Sequence, residues 1–269
     1  MVAVSAVVCA RNEAEKIEGC LRSLRWADEV IVFDMQSTDD TTERVLRWAD
    51  RVVSISPAPA VEMVREQMLR EASYDWVLVL DPDERVSLPL AQMLRRLLES
   101  GEEFAAVNIP VRTFLLGQPM RAFGWYPDYH PRLLHRRKVR WPAALHSAPE
   151  IEGRVIDIPP GIGADILHYN YSSVEEFLRK ANRYTSLQAQ ALRRKGRPFR
   201  CYKLFYHPLK EFWLRFIVRR GYRDGLHGLV FSLLMACYYL VAYAKLWELE
   251  RAEGRGDAPS SSLAREMQR

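Results

Sequence analysis

Tyr74-Asp75-Trp76-Val77-Leu78-Val79-Leu80-Asp81-Pro82-Asp83-Glu84-Arg85 sets the architecture of this chain. Five apolar residues, Trp76 to Leu80, run without a polar break toward three acids. An unbroken Val/Leu run is the signature of a strand covered on both faces, as in a parallel sheet between helices. Pro82 cannot donate to a sheet ladder, so the acids fall on the loop past the strand's carboxyl end. In open α/β sheets, ligands bind in the crevice at those ends. Two carboxylates one residue apart can hold a hard divalent cation, which in turn can hold phosphate oxygens. A polar turn ending the strand is the plainer reading of the same residues.

The flanking sequence extends the pattern. Residues 2 to 10 read as a first strand, followed by the polar loop Arg11-Asn12-Glu13 and helical spacing from Ala14 to Trp26. Val30 to Phe33 reads as a second strand ending at Asp34, with cap and turn formers following and a helix from Thr41 to Ala49. Arg51 to Ile55 is a third strand, Val61 to Ala72 a helix, and Trp76 to Leu80 the fourth strand. This β-α-β-α-β-α-β order predicts a Rossmann-like, right-handed, doubly wound α/β sheet. A helix from Leu88 to Leu98 and a strand from Ala105 to Pro110 follow. The stretch from there to about residue 170 is irregular, aromatic and basic, and is where an acceptor site is expected.

From Ser172 the chain turns helical, and residues 172–251 are expected to form a separate helical region ending in a flexible tail, 252–269. Residues 193 to 223 hold eleven Lys or Arg and a single acid, Glu211, interleaved with aromatics. Leu226 to Leu246 is mostly apolar and about as long as a bilayer span, but His227, Ser232 and Lys245 interrupt it. It reads as a buried or interfacial helix beside a basic stretch suited to an anionic membrane surface. A solvated charged face and an ordinary helix core are the alternatives. A nucleic-acid role for the basic stretch is disfavoured by its apolar neighbour.

Composition is that of a globular protein: 269 residues, 48% hydrophobic, 27% charged and net charge +5. The four cysteines lack CxxC spacing, which argues against a zinc site and fits reduced thiols in a cytoplasmic compartment. The apolar N-terminus has no basic flank and reads as a strand rather than a signal peptide. Neither GxGxxG nor GxxxxGK[ST] occurs, so a dinucleotide fingerprint and a P-loop are both absent. Without a Gly-rich phosphate cradle, a diphosphate would need a metal at Asp81 and Asp83.

Three segments in order, Val8–Glu15, Val32–Thr41 and Leu80–Glu84, resemble the successive signatures of family 2 glycosyltransferases with the GT-A fold. Gly124-Trp-Tyr-Pro-Asp128, Arg132-Leu-Leu134, Leu145-His146 and Gly221–Leu229 resemble a narrower group, the lipopolysaccharide core β-1,4-glucosyltransferase-like proteins. The resemblance covers residues 4 to about 250. It implies an inverting, metal-dependent transfer of a sugar from a nucleotide-sugar donor, UDP-linked by this reading, to a lipid-linked or lipopolysaccharide-type acceptor. It further implies a protein peripherally held at the inner face of the cytoplasmic membrane.

Residue roles follow from the same resemblance. Ala10, Arg11, Asn12 and Glu13 would lie beside the nucleotide, Asp34 would contact base or ribose, and Arg65, Asp81 and Pro82 would complete the nucleotide site. Asp81 and Asp83 form the DxD that holds Mg²⁺ or Mn²⁺, with His146 a further metal or phosphate contact and Glu84 behind the cluster. Arg132, Arg136 and Arg137 would bind the diphosphate or a phosphorylated acceptor. The narrower group carries His-Glu where this chain has His146-Ser147, so its usual acid is missing. Asp128 is the first candidate for the base and Glu150 the second. A nucleotidyltransferase and a non-catalytic sugar-nucleotide or membrane-binding protein are the competing readings.

Overall fold

The computed structural model describes residues 2–143 and 147–254. They form two compact units, the first comprising the chain up to Phe114 and again Trp125–Asn170, the second Leu115–Gly124 and the chain from Tyr171 onward.

The first unit is built on a mixed sheet. Strands β1 (Val4–Ala10), β2 (Glu29–Asp34), β3 (Arg51–Ser54) and β4 (Trp76–Leu80) lie in the order β3-β2-β1-β4, all parallel. Helices α1 (Ile17–Ser23), α2 (Thr41–Val45) and α3 (Glu62–Glu71) connect them, as the alternating apolar pattern predicts. After β4 come β5 (Glu84–Val86), α4 (Leu88–Glu99) and β6 (Ala106–Leu115), with the two-residue strand β7 (Gln118–Pro119) beyond it in the chain.

The pleat sorts the core. Val4, Ala6, Val8, Leu78 and Leu80 pack with Ile17, Leu21, Leu90 and Leu94 of α1 and α4. Val7, Cys9, Val77 and Val79 point the other way, against Val64, Met68 and Leu69 of α3. Val77 to Leu80 are each at most 1% exposed, which is why the run has no polar alternate. Each such side chain contributes about 1.5–3 kcal/mol by leaving water, and Leu78→Ala would cost about 2–5 kcal/mol. Helix α4 begins where Ser87 Oγ accepts from Leu90 N–H, and its Leu90, Ala91, Leu94 and Leu98 recur at helical spacing on the buried side.

The stretch read as irregular instead supplies sheet strands. Strand β8 (Asp128–His135) pairs antiparallel with β4 and β6, and β12 (Ile166–Tyr171) pairs antiparallel with β5. Between them lie β9 (Val139–Arg140), β10 (Glu150–Ile151) and β11 (Val155–Asp157); β9 and β10 form a separate ribbon and β11 adds to β6. Aromatic and basic residues on these half-buried strands hide the two-residue alternation.

The second unit is helical: α5 (Val174–Arg194), α6 (Lys203–Trp213) and α7 (Gly225–Gly254), with a π-helical turn at Leu214–Val218 after α6. Lys245 on α7 donates to the Asn182 carbonyl and side chain and to the Thr185 and Ser186 hydroxyls of α5, at 2.6–2.9 Å. The Gly221–Leu229 motif serves packing. A Cβ on Gly228 would stand 1.9 Å from the Gly221 carbonyl oxygen. Asp224 receives the Arg121 and Ala122 N–H groups at 3.0 and 2.9 Å.

Candidate active site

The acids Asp81, Asp83 and Glu84 lie where the chain leaves β4, at the carboxyl end of the parallel strands. Two arginines reach them. Arg65 of α3 donates to Asp81 Oδ1 at 2.9 Å, and Arg132 of β8 donates to Asp81 Oδ2 at 3.2 Å and to Glu84 Oε1. Arg65 is 5% and Arg132 6% exposed, so both charges are spent inside the protein. The Arg65 guanidinium lies over the Trp141 ring at 4.8 Å.

The two carboxylates that share Arg132 titrate apart. Burial opposes ionisation of Asp81, but Arg132 and then Arg65 outweigh it and hold its carboxyl down to about 2. Burial dominates at Glu84, and with the neighbouring Asp81 charge it pushes the carboxyl up to about 7 against the pull of Arg132. Glu84 accepts the Asp81 N–H at 2.9 Å, which fixes the loop. Cys9 and Cys20 lie close by, both buried, and burial pushes their thiols up, Cys9 to about 12. They are neutral packing groups.

His168 completes the cluster, and sequence reasoning missed it. Strand β12 places it opposite Glu84 on β5, and Tyr169 N–H donates to the Asp83 carbonyl at 2.8 Å. His168 Nε2 lies 3.4 Å from Asp83 Oδ2. Burial alone would lower the imidazole's pKa; the hydrogen bond and charge of Asp83, then Glu84 and Asp81, raise it. A histidine in a short aromatic strand carries no spacing signal toward acids so distant in sequence.

The expected nucleotide loops meet one another. Asn12 adopts a left-handed φ of 55°, and its Oδ1 accepts the Thr38 N–H at 2.8 Å while its own N–H donates to Ser37 Oγ at 3.0 Å. Glu13 N–H donates to Thr41 Oγ1 at 2.8 Å, and the Ala10 carbonyl accepts from Met35 N–H at 2.9 Å. Arg11 and Asn12 are exposed on the rim. Asp34 is 6% exposed and accepts the hydroxyls of Ser37 and Thr42 at 2.6 and 3.1 Å. Its carboxylate, which also accepts the Ser37 N–H at 3.2 Å, organises this turn. Pro82 is half-buried between the two aspartates.

Three of the expected contacts are corrected. Arg136 and Arg137 are not at the acidic loop: both donate to Asp75 Oδ1, at 3.2 and 3.1 Å, beside the amino end of β4. Strand β8 runs antiparallel to β4, so residues that follow Arg132 move away from the carboxyl end. Arg132 is at that end, but it binds carboxylates rather than standing free for a phosphate. His146 lies outside the described residues. Ser147, where the missing acid would stand, donates to the Pro142 carbonyl at 2.7 Å.

For the base, the strands separate the two candidates. Asp128 and His130 share one face of β8 by its two-residue period, which a register shift against β6 interrupts at Arg132, between Pro131 and Leu133; Asp128 lies beyond the carboxyl end of β4. His130 Nε2 lies 3.2 Å from the Asp128 carboxylate. Tyr126, two residues earlier, donates to Asp165 Oδ1 at 2.8 Å and accepts from Gly161 N–H at 2.6 Å. Arg112 clamps the same Asp165 at 2.8 Å and lies over the Tyr126 ring at 4.2 Å. Glu150 is on the separate β9–β10 ribbon, opposite Arg140.

Among the described residues no three acidic, thiol or imidazole groups already converge on a metal position. Asp83 and His168 nevertheless suit a cation that brings its other ligands with it. Mg²⁺ in particular is commonly held by one or two carboxylates plus substrate phosphates, and an added imidazole favours a transition metal such as Mn²⁺.

The mixed α/β sheet, with acids, buried arginines and two stapled polar loops at the carboxyl ends of its parallel strands, is GT-A-like. Residues 5–147 match Glycosyl transferase family 2, and the chain belongs to that family. It is therefore a glycosyltransferase that moves a sugar from a nucleotide-sugar donor, and the nucleotidyltransferase reading falls. The chain is 27% identical over 264 residues to the lipopolysaccharide core biosynthesis glycosyltransferase LpsC of Rhizobium meliloti, covering 94% of each chain. It is 26% identical over 260 residues to an uncharacterized glycosyltransferase of Rickettsia felis, covering 92% of this chain and 90% of the other. Among solved structures, glucosyl-3-phosphoglycerate synthase from Mycobacterium tuberculosis, in complex with Mn²⁺ and UDP-glucose, is similar over 42% of this chain and 43% of that one. Its TM-score is 0.34 and its identity 31%, and the chain thus spans less than half of that protein's length.

Proposed function

We propose that this enzyme is a metal-dependent, inverting transferase. Its donor is a UDP-linked sugar, and its acceptor is a glycolipid of the lipopolysaccharide-core type, met at the cytoplasmic face of the membrane. One observation carries the reading: at the carboxyl end of β4, Asp83 faces His168, while Asp81 and Glu84 are already answered by Arg65 and Arg132. Asp83 is thus the acid of the loop that turns to an imidazole instead of an arginine. A Mg²⁺ or Mn²⁺ ion held there with the diphosphate supplies the charge neutralisation that a departing nucleotide needs.

The residues of this chain perform the remaining work. Arg65 and Arg132 keep Asp81 ionised and fixed, so the loop is preorganised before donor arrives. The rim at Arg11–Glu13 and Ser37–Thr38 receives the nucleoside. Asp128 takes the proton from the acceptor hydroxyl as its oxygen attacks the anomeric carbon, opposite the breaking bond to the diphosphate. The configuration at that carbon inverts in a single displacement. The acceptor class is supported by likeness to LpsC along nearly the whole chain.

The test is UDP release from a panel of UDP-sugars offered with core oligosaccharide acceptors of graded length, with Mn²⁺ or with chelator. Metal-dependent, acceptor-stimulated release with an inverted anomeric product is expected. Equal release in chelator, or a retained configuration, contradicts the proposal.

A further inference from the structure

Helix α6 and the π-turn that continues it carry apolar residues on both their inward and outward sides. No residue from Lys203 to Val218 is buried. Inward, Leu204 packs against the Ala189, Tyr243 and Leu246 cluster and His207 stacks on Tyr243, while Glu211 and Arg215 pair at 3.3 Å, each side chain 13% exposed, and the Arg215 guanidinium lies over Phe231 of α7. A second set of apolar residues faces outward. Phe205, Leu209 and Trp213, at four-residue spacing on one face, are 66%, 68% and 61% exposed. A helix bordering water places polar residues on its outer face instead. On α7, Leu226, Leu233, Leu240 and Trp247 repeat at seven-residue intervals and are exposed as well. Apolar surface on this scale marks a binding face.

We propose that this outward face of α6 docks on an anionic phospholipid bilayer, in the plane of its interface. Charge selects that occupant. Lys210, Arg219, Arg220 and Arg223 are exposed on and just after α6, and the one acid of residues 193–223 is Glu211, turned inward. A second copy of the chain would press these like charges together, at a cost. A bilayer offers acyl chains to Leu209 and Trp213 and phosphates to the basic residues, whose aliphatic stems can lie along the apolar surface. Trp and Tyr favour that depth. Helix α7 is not a lone hydrocarbon rod, because Ala242, Tyr243 and Leu246 are buried and Lys245 is saturated by α5. The bilayer therefore meets one side of the unit. The inference stands independently of the donor chemistry.

The experiment is flotation of the full chain with vesicles of phosphatidylcholine alone and of phosphatidylcholine with phosphatidylglycerol. The wild type is expected to float with the mixed vesicles and much less with the neutral ones. Each basic residue near an anionic surface is worth about fivefold in binding, so Lys210→Glu with Arg223→Glu lowers partitioning by at least roughly 25-fold. Leu209→Glu with Trp213→Glu abolishes flotation. All four side chains are exposed, so far-UV circular dichroism and UDP binding stay unchanged, which separates failure here from failure of the donor-site reading. Wild type that never floats, or variants that float as it does, overturn the proposal. So does a lipid-free dimer that Leu209→Glu with Trp213→Glu converts to monomer, since the face then belongs to a second copy.

Discussion

Replacing Arg132 with Met should destabilise the first unit strongly. The Arg132 side chain is 8% exposed and that of Glu84 3%, and the guanidinium also reaches Asp81. Met keeps the aliphatic bulk and deletes the charge. Breaking a buried pair while leaving its partner in place costs about 3–5 kcal/mol. Asp81 keeps Arg65, so most of the loss falls on Glu84, whose carboxyl burial already pushes up to about 7. At about 2–4 °C per kcal/mol for a unit of this size, the melting temperature should fall by roughly 10 °C. Thermal unfolding followed by circular dichroism measures this, with Arg137→Ala as the control. Arg137 also pairs with an acid, but its side chain is 72% exposed and its loss should cost less than about 1 kcal/mol. In a Glu84→Gln background the Arg132→Met penalty should shrink by at least about 1 kcal/mol, because no buried carboxylate is stranded. An Arg132→Met protein that melts with the wild type, or a penalty unchanged in Glu84→Gln, would refute the claim that this ion pair holds the acidic loop.

Three further substitutions probe the site itself. Asp128→Asn should lower kcat by about 10²–10⁴ while leaving UDP affinity within about twofold, as removal of a general base does; steady-state kinetics with calorimetry check both. His168→Ala should weaken metal-supported UDP binding by about 10–100-fold and lose more with Mn²⁺ than with Mg²⁺, since the imidazole favours the former. Tyr126→Phe leaves Gly161 N–H and Asp165 short of a partner, costing about 1–3 kcal/mol of stability. It should lower kcat without changing donor affinity, because the clasp acts through the backbone leading to Asp128.

The parallel half of the sheet was legible because its strands are buried on both faces. Trp76 to Leu80 is the observed β4 to the residue, since Pro82 and the acids end the strand chemically as well as structurally. The helix expected from Ala14 to Trp26 is shorter, Ile17–Ser23. Turns flank it: Lys16 N–H donates to the Glu13 carbonyl and Leu24 N–H to the Leu21 carbonyl, each at 3.0 Å, and Lys16 Nζ is held by the Tyr169 and Asn170 carbonyls at 3.1 and 2.8 Å. What spacing could not supply was register. Arg132 and Arg136 are one short stretch apart, yet β8 carries the first to Asp81 and the second to Asp75 at the other end of β4. His168 joins the acids only because β12 pairs with β5, a contact between segments that no local pattern connects.

The proposal that Asp83, with His168 3.4 Å away, holds a divalent cation together with the donor's diphosphate is tested most directly by titrating UDP into the protein calorimetrically, with Mn²⁺ and with chelator, for wild type and Asp83→Asn. UDP should bind the wild type at least about tenfold more tightly with Mn²⁺ than without, and Asp83→Asn should erase that difference. Equal binding in chelator, or a metal dependence that survives Asp83→Asn, would contradict it.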